Sequence, residues 1–164
     1  MSMLRLALGA DHAGYRLKDV LSEHLRLLGH EVLDLGTNSP DSVDYPDFGR
    51  AVAQAVTTGS ADLGVAVCGS GLGIAIAANK VPGARAATCH DVTSARLARL
   101  HNDANVLCLG ERLIGAEVAR DAVEAFISTA FEGGRHANRV AKFAIIEADY
   151  APRAIFADSA AHTL

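Results

Sequence analysis

Short apolar runs alternate with helix-length amphipathic segments along nearly the whole chain, and this alternation constrains the fold more than any other feature. The runs LRLALGA (4–10), HEVLDLG (30–36), DLGVAVC (62–68), ARAATC (84–89) and NVLCLG (105–110) read as strands. Between the first two, Leu17, Val20, Leu21, Leu25 and Leu28 fall on one helical face, which Gly29 closes as a C-cap. Further helices are expected over about 47–58, 73–79, 91–101 and 116–131, with a last one from after the block EGGRHANRV (132–140) to about Asp149. Strands separated by helices pair in parallel through right-handed crossovers. Near-continuous apolar strands belong to a sheet covered on both faces. The expected architecture is a single three-layer αβα domain with a five-stranded parallel sheet.

The chain has 164 residues, enough for one domain with a real core and hardly enough for two. Residues 1–150 are expected to form that domain, and 151–164 a loosely docked or disordered tail. The formal net charge is −4, without a block of Lys or Arg, which argues against a nucleic-acid partner. No apolar run approaches the roughly 20 residues that span a bilayer, so no membrane partner is expected, and the N-terminus reads as a first strand rather than a signal peptide. The three cysteines, Cys68, Cys89 and Cys108, lack paired spacing and suit free thiols in a reducing cytoplasm.

Between the third strand and its helix stands Cys68-Gly69-Ser70-Gly71-Leu72-Gly73. The dinucleotide fingerprint requires a third glycine where Ile74 stands, and no Gly-Lys-Ser/Thr follows for a phosphate loop. A serine-hydrolase elbow requires glycines where Cys68 and Leu72 stand. What remains is a thiol at a strand end, followed by a glycine turn whose successive N–H groups are free at a helix start. Such a place lowers a thiol's pKa and stabilises a nearby oxyanion. A buried, inert cysteine beside a tight turn is the alternative, and it is the reading for Cys89 and Cys108.

Ligands of open parallel sheets bind outside the carboxyl ends of the strands. Asp11 and His12 follow the first strand, Cys68 the third and Arg112 the fifth, so these are expected on one rim. Asp11-His12 would serve equally as a helix cap. Arg135 and Arg139, four apart, make a phosphate grip to join them or a solvated helix start. His101-Asn102 ends the helix after the fourth strand, at the opposite end of the sheet from Cys68. It is either a helix C-cap or a pair that reaches a site only in a second subunit. The seven histidines show no clustered metal-ligand spacing, so no metal is expected.

The blocks GADHAGYRLKDVL, GTNSPDSVDYPDF, CGSGLGIAIAANKVPGARAA, SARLARLHNDANVLCLGERLIG and FEGGRHANRV, in order over about residues 4–149, resemble the ribose-5-phosphate isomerase B family, with its galactose- and allose-6-phosphate isomerases. The resemblance implies a Rossmann-like aldose–ketose isomerase acting on a phosphorylated sugar, without metal or cofactor. It also implies a homodimer, or a tetramer of such dimers, with the active site shared between subunits. Cys68 then corresponds to the base that moves a proton between C1 and C2, and His101 of the partner subunit to the acid that opens the sugar ring. Gly69, Ser70, Gly71, Leu72, Gly73 and Asn102 correspond to the nest for the enediolate. Ser70 keeps a hydroxyl where some members carry threonine, for proton movement between O1 and O2. Asp11 and Tyr45 correspond to ring contacts, and His12, Arg112, Arg135 and Arg139 to the phosphate set. One branch of the family lacks the cysteine and uses a glutamate at the position of Ile74, so this chain resembles the cysteine branch. Ribose 5-phosphate is the expected substrate, in pentose phosphate metabolism. Allose 6-phosphate, galactose 6-phosphate or a four-carbon sugar phosphate are rivals, with the 37–46 loop a candidate for setting sugar length. A non-catalytic sugar-phosphate sensor and a cysteine hydrolase are the readings from other classes.

Overall fold

The computed structural model describes residues 2–151, so the expected tail from 152 onward lies outside the described residues. The chain runs β1 (Arg5–Ala10), α1 (Tyr15–Leu27), β2 (Glu31–Asp34), α2 (Tyr45–Thr57), β3 (Leu63–Cys68) and α3 (Leu72–Ala78). It continues through β4 (Ala86–Thr88), α4 (Val92–Asn102), β5 (Val106–Gly110), α5 (Ala116–Ser128) and α6 (Arg135–Tyr150). All pairings are parallel in the order β2-β1-β3-β5-β4, which is the expected five-stranded sheet. β3 lies at its centre, and β1 and β5 flank it.

Period-two alternation divides the core between the two faces. Leu6, Leu8, Val65, Val67, Leu107 and Leu109 pack with the apolar faces of α1 and α5 and the alanines of α4. Ala7, Ala66, Cys68, Val106 and Cys108 pack on the other side with Val52 of α2 and Ile74 of α3. That second face is built from small residues, which lets its helices come close. A Cβ on Gly64 would stand 2.6 Å from Val52 Cγ1, and one on Gly9 would stand 2.7 Å from Val52 Cγ2.

The expected strands and helices are all present, with informative shifts at their ends. α2 starts at Tyr45 rather than about 47, because Pro46 fits the first helical turn, where its missing N–H is not needed. α6 starts at Arg135, inside the EGGRHANRV block, after Gly133 and Gly134 at φ +69° and +54°. α5 stops at Ser128, three residues early. Full burial holds for β3 and β5 and for most of β1; the edge strands β2 and β4 are only partly covered. On α1 the buried stripe is Leu17, Lys18, Leu21, Ser22 and Leu25, whereas Leu28 is exposed.

The buried Lys18 fixes the rim. Its Nζ reaches both Asp34 carboxylate oxygens at 2.7 and 2.8 Å and Asn38 Oδ1 at 2.7 Å. Gly36 O accepts the Ala10 N–H at 2.6 Å, so the loop after β2 is tied to the carboxyl end of β1.

Close packing at Gly64 gives a direct test. Gly64→Ala forces Val52, Val56 or Val106 aside, and overpacking of this kind costs about 1–3 kcal/mol. Thermal unfolding should show a midpoint lower by roughly 2–4 °C per kcal/mol lost; an unchanged midpoint would mean that these valines yield freely.

Candidate active site

At the carboxyl edge of the sheet, the loops after β1, β3 and β5 enclose a cleft of about 400 Å³. Asp11, His12 and Ala13 line it from the first loop, and Cys68, Gly69 and Ser70 from the second. Arg112 and Leu113 come from the third, and Tyr45 with Gly73 closes a side. The cleft lies where β1 and β3, adjacent in the sheet, send their chains in different directions, the usual ligand crevice of such sheets.

Cys68 ends β3 almost fully buried. The N–H of Gly71 turns back and donates to its Sγ at 3.1 Å. Gly71 has φ +77°, and a Cβ there would sit 2.9 Å from the Leu109 carbonyl carbon, so this turn accepts only glycine. Thr88 Oγ1 donates to Gly71 O at 3.0 Å and braces the turn from β4. The expectation of a row of free N–H groups from Gly69 to Gly73 needs correction. The Gly71 N–H is taken by Sγ, and that of Leu72 by Ser70 Oγ at 3.3 Å. Leu72 itself is exposed and does not line the cleft.

Each remaining wall residue has its own support. Asp11 is buried, and its Oδ1 accepts the Ala13 N–H at 2.9 Å, which fixes the carboxylate at the turn into α1. His12 Nδ1 lies 3.2 Å from both the N–H and the C=O of Val43. With the N–H as partner, the ring proton sits on Nε2. Tyr45 lies across Gly73, where a Cβ would come within 2.7 Å of the ring. Arg112 spans Gly69, anchored by its own N–H to Gly69 O at 3.1 Å, and its guanidinium has no acid partner among the described residues.

The other half of the expected residues lies elsewhere. His101 and Asn102 end α4 at the amino edge, close to Asn105, whose carbonyl accepts the N–H of Gly64 at the start of β3. β3 separates the two edges by roughly 17 Å, at ~3.3 Å per residue. Arg135 and Arg139 start α6 beside His101 and do not join the rim of their own chain, contrary to the expected convergence. The topology returns each crossover helix to the amino edge, and α6 follows α4 there: Glu132 N–H donates to Leu100 O at 3.0 Å.

The structure also assembles a group that the spacing hid. His101, Glu132 and His136 bring ligand-type atoms within 4.8 Å of one another. The two imidazoles are stacked, with centroids 4.3 Å apart and planes at 8°. A metal bound by imidazole lies in the plane of each ring, so rings stacked in this way do not aim two lone pairs at one point. Sequence reasoning also missed Lys18, Val43 and the cleft-lining Ala13 and Leu113. Of these, Ala13 and Leu113 carried a signal, their places next to His12 and Arg112.

The model of the ribose/galactose isomerase family matches residues 6–143 of the chain. Ribose-5-phosphate isomerase B of Escherichia coli (strain K12) is 46% identical over 145 residues, which cover 88% of this chain and 97% of that one. D-erythrulose-4-phosphate isomerase of Pectobacterium atrosepticum is 40% identical over 146 residues, covering 88% and 96%. The structure of Clostridium thermocellum ribose-5-phosphate isomerase B superposes with a TM-score of 0.89 at 52% identity, over 90% of this chain and 99% of that one.

The three free thiols should separate chemically. Burial pushes the Cys108 thiol strongly up, and it pushes Cys89 up as well. Cys68 alone of the three lines the cleft. Brief iodoacetamide treatment of the folded protein should alkylate Cys68 first, as read by peptide mass spectrometry; faster labelling of Cys89 or Cys108 would contradict this geometry.

Proposed function

The chain belongs to the ribose/galactose isomerase family, and from that premise we propose that it interconverts D-ribose 5-phosphate and D-ribulose 5-phosphate through a cis-enediolate. The observation that carries this reading is the Cys68 thiol at the floor of a cleft, with a backbone N–H on its sulfur and polar groups around it. In the proposed reaction the Cys68 thiolate takes the proton from C2 of the open-chain aldose and returns it to C1. The charge that develops on the oxygens meets the N–H groups of the Gly69–Gly73 turn other than those of Gly71 and Leu72, and Asn102 of a second copy; preorganised donors of this kind are typically worth roughly 3–4 kcal/mol each. Ser70 moves the proton between O1 and O2. Asp11 and Tyr45 contact the sugar, and His12 and Arg112 hold the phosphate together with Arg135 and Arg139.

This assignment needs a homodimer, because His101, Asn102, Arg135 and Arg139 lie at the far edge from their own Cys68. The surface of α6 supports such an assembly. His136 is its only buried residue, while Phe143, Ile145 and Ile146 are exposed on a helix whose apolar side has little to pack on. Two such dimers would make the tetramer. Residues 1–150 are the catalytic domain. Three free thiols fit a reducing, cytoplasmic setting, and no helix among the described residues is long and apolar enough to cross a membrane.

A four-carbon substrate is the second reading, favoured by the 40% identity to an enzyme named for erythrulose 4-phosphate. Parallel assays on both sugar phosphates separate the two.

Proton NMR with ribose 5-phosphate in deuterated water and no added metal tests the reaction itself. Ribulose 5-phosphate should form with deuterium at the transferred position. Cys68→Ala should abolish this turnover, by about 10²-fold or more for loss of a general base, and leave sugar-phosphate affinity intact; equal loss of both would sink the base assignment. Mixing inactive Cys68→Ala and His101→Ala proteins should restore part of the activity through hybrid dimers. Subunit exchange without any recovery would rule out the shared site.

A further inference from the structure

His136 is the one buried residue of α6, and no step described above uses it. Its ring lies flat against that of His101, 4.3 Å between centroids. Glu132 Oε2 stands 3.7 Å from His101 Nε2 and 3.6 Å from His136 Nε2, too far for a direct hydrogen bond to either. The same nitrogen of His136 accepts the Arg135 Nε–H at 3.4 Å. With the Arg135 N–H as its partner, Nε2 presents a lone pair and the ring proton sits on Nδ1.

We propose that His136 is a positioning residue for the ring-opening step, a flat platform that holds the His101 imidazole in place. This rests on the isomerase reading and extends it to a residue that need not touch the sugar. Two stacked imidazolium ions would repel each other, and Arg135 and Arg139 add further positive charge around His136. Burial first, and then the charges of His101, Arg135 and Arg139, lower the pKa of His136, while Glu132 opposes them. His101 is the more exposed member of the stack and therefore the one able to meet a ligand. In the step it serves, the bond from C1 to the ring oxygen breaks and that oxygen takes the proton of His101. The C1 hydroxyl loses its proton to water and becomes the aldehyde.

The test exploits a chemical asymmetry between the two sugars. Ribose 5-phosphate is mostly a closed furanose, whereas ribulose 5-phosphate, with its C5 oxygen esterified, has no such ring. Deuterium wash-in at C1 of ribulose 5-phosphate therefore reports proton transfer alone, while turnover of ribose 5-phosphate also requires ring opening. His136→Ala should lower kcat for ribose 5-phosphate by roughly 10- to 100-fold, the scale of a misplaced catalytic group, and leave the wash-in rate nearly unchanged. His136→Phe keeps a flat partner and should recover most of the loss. Equal loss of both rates, no loss of either, or failure of the Phe variant to recover would overturn the positioning role. A wild-type protein that exchanges no deuterium into ribulose 5-phosphate would instead overturn the isomerase reading beneath it.

Discussion

The central strand β3 is hydrogen-bonded to β1 on one side and to β5 on the other, and it is buried over its whole length. Its peptide groups are satisfied only while these ladders last. When the chain leaves the sheet at Cys68 the next N–H groups must find other partners within a few residues, under a roof that leaves little room. Gly110 passes so close beneath that a Cβ on it would meet the Ser70 backbone at 2.6 Å. The turn that solves this places the Gly71 N–H on Sγ and the Leu72 N–H on Ser70 Oγ. The polar character of the cleft floor is thus a direct consequence of ending a fully buried strand in a tight glycine turn.

The same topology that creates the cleft also divides the candidate residues. In a parallel sheet every crossover helix begins near the carboxyl edge and ends near the amino edge, so a residue at the end of α4 is as far from Cys68 as the sheet allows. That end is firmly built. Asp103 adopts a left-handed backbone at φ +46°, uncommon for a non-glycine residue. Arg85 and Arg99 hold its carboxylate at 2.9 and 2.8 Å. Such rigidity is sensible if the edge serves another copy. In the proposed dimer a twofold axis would make both halves complete at once, because an isologous contact that brings His101 to one Cys68 brings its mate to the other.

Much of this was legible in the sequence, for identifiable reasons. Period-two and helical patterning located the strands and helices, Gly29 marked a helix end, and strand order along the chain put Asp11, Cys68 and Arg112 on one rim. The shifted helix starts have local causes: Pro46 reads as a loop residue but fits a first turn, and the paired glycines before Arg135 start a helix earlier than the apolar pattern does. Lys18 was invisible because a lysine in a helical pattern reads as solvent-facing, and only the folded loop supplies Asp34 and Asn38. The His101–His136 stack escaped for a related reason. Thirty-five positions separate its members, and no local period links the end of one helix to the beginning of another.

The choice of thiol illustrates why place in the fold matters more than burial. Cys68 and Cys108 share the same face of the sheet and are both buried. Cys108 stands within β5, with two strand residues still to come and its carbonyl accepting the Cys89 N–H at 3.1 Å, so nothing can approach it. Cys68 is the last residue of its strand and borders open space. Nor does the neighbouring helix offer another base: Ile74 is wholly buried, and Gly49 packs so tightly on it that an added Cβ would stand 2.6 Å from its carbonyl oxygen. A carboxylate at position 74 would be desolvated without a partner in this packing, at a cost that forces it neutral. In the proposed reaction, proton transfer at this edge of the sheet therefore falls to the one cysteine where a buried strand ends and a cleft begins.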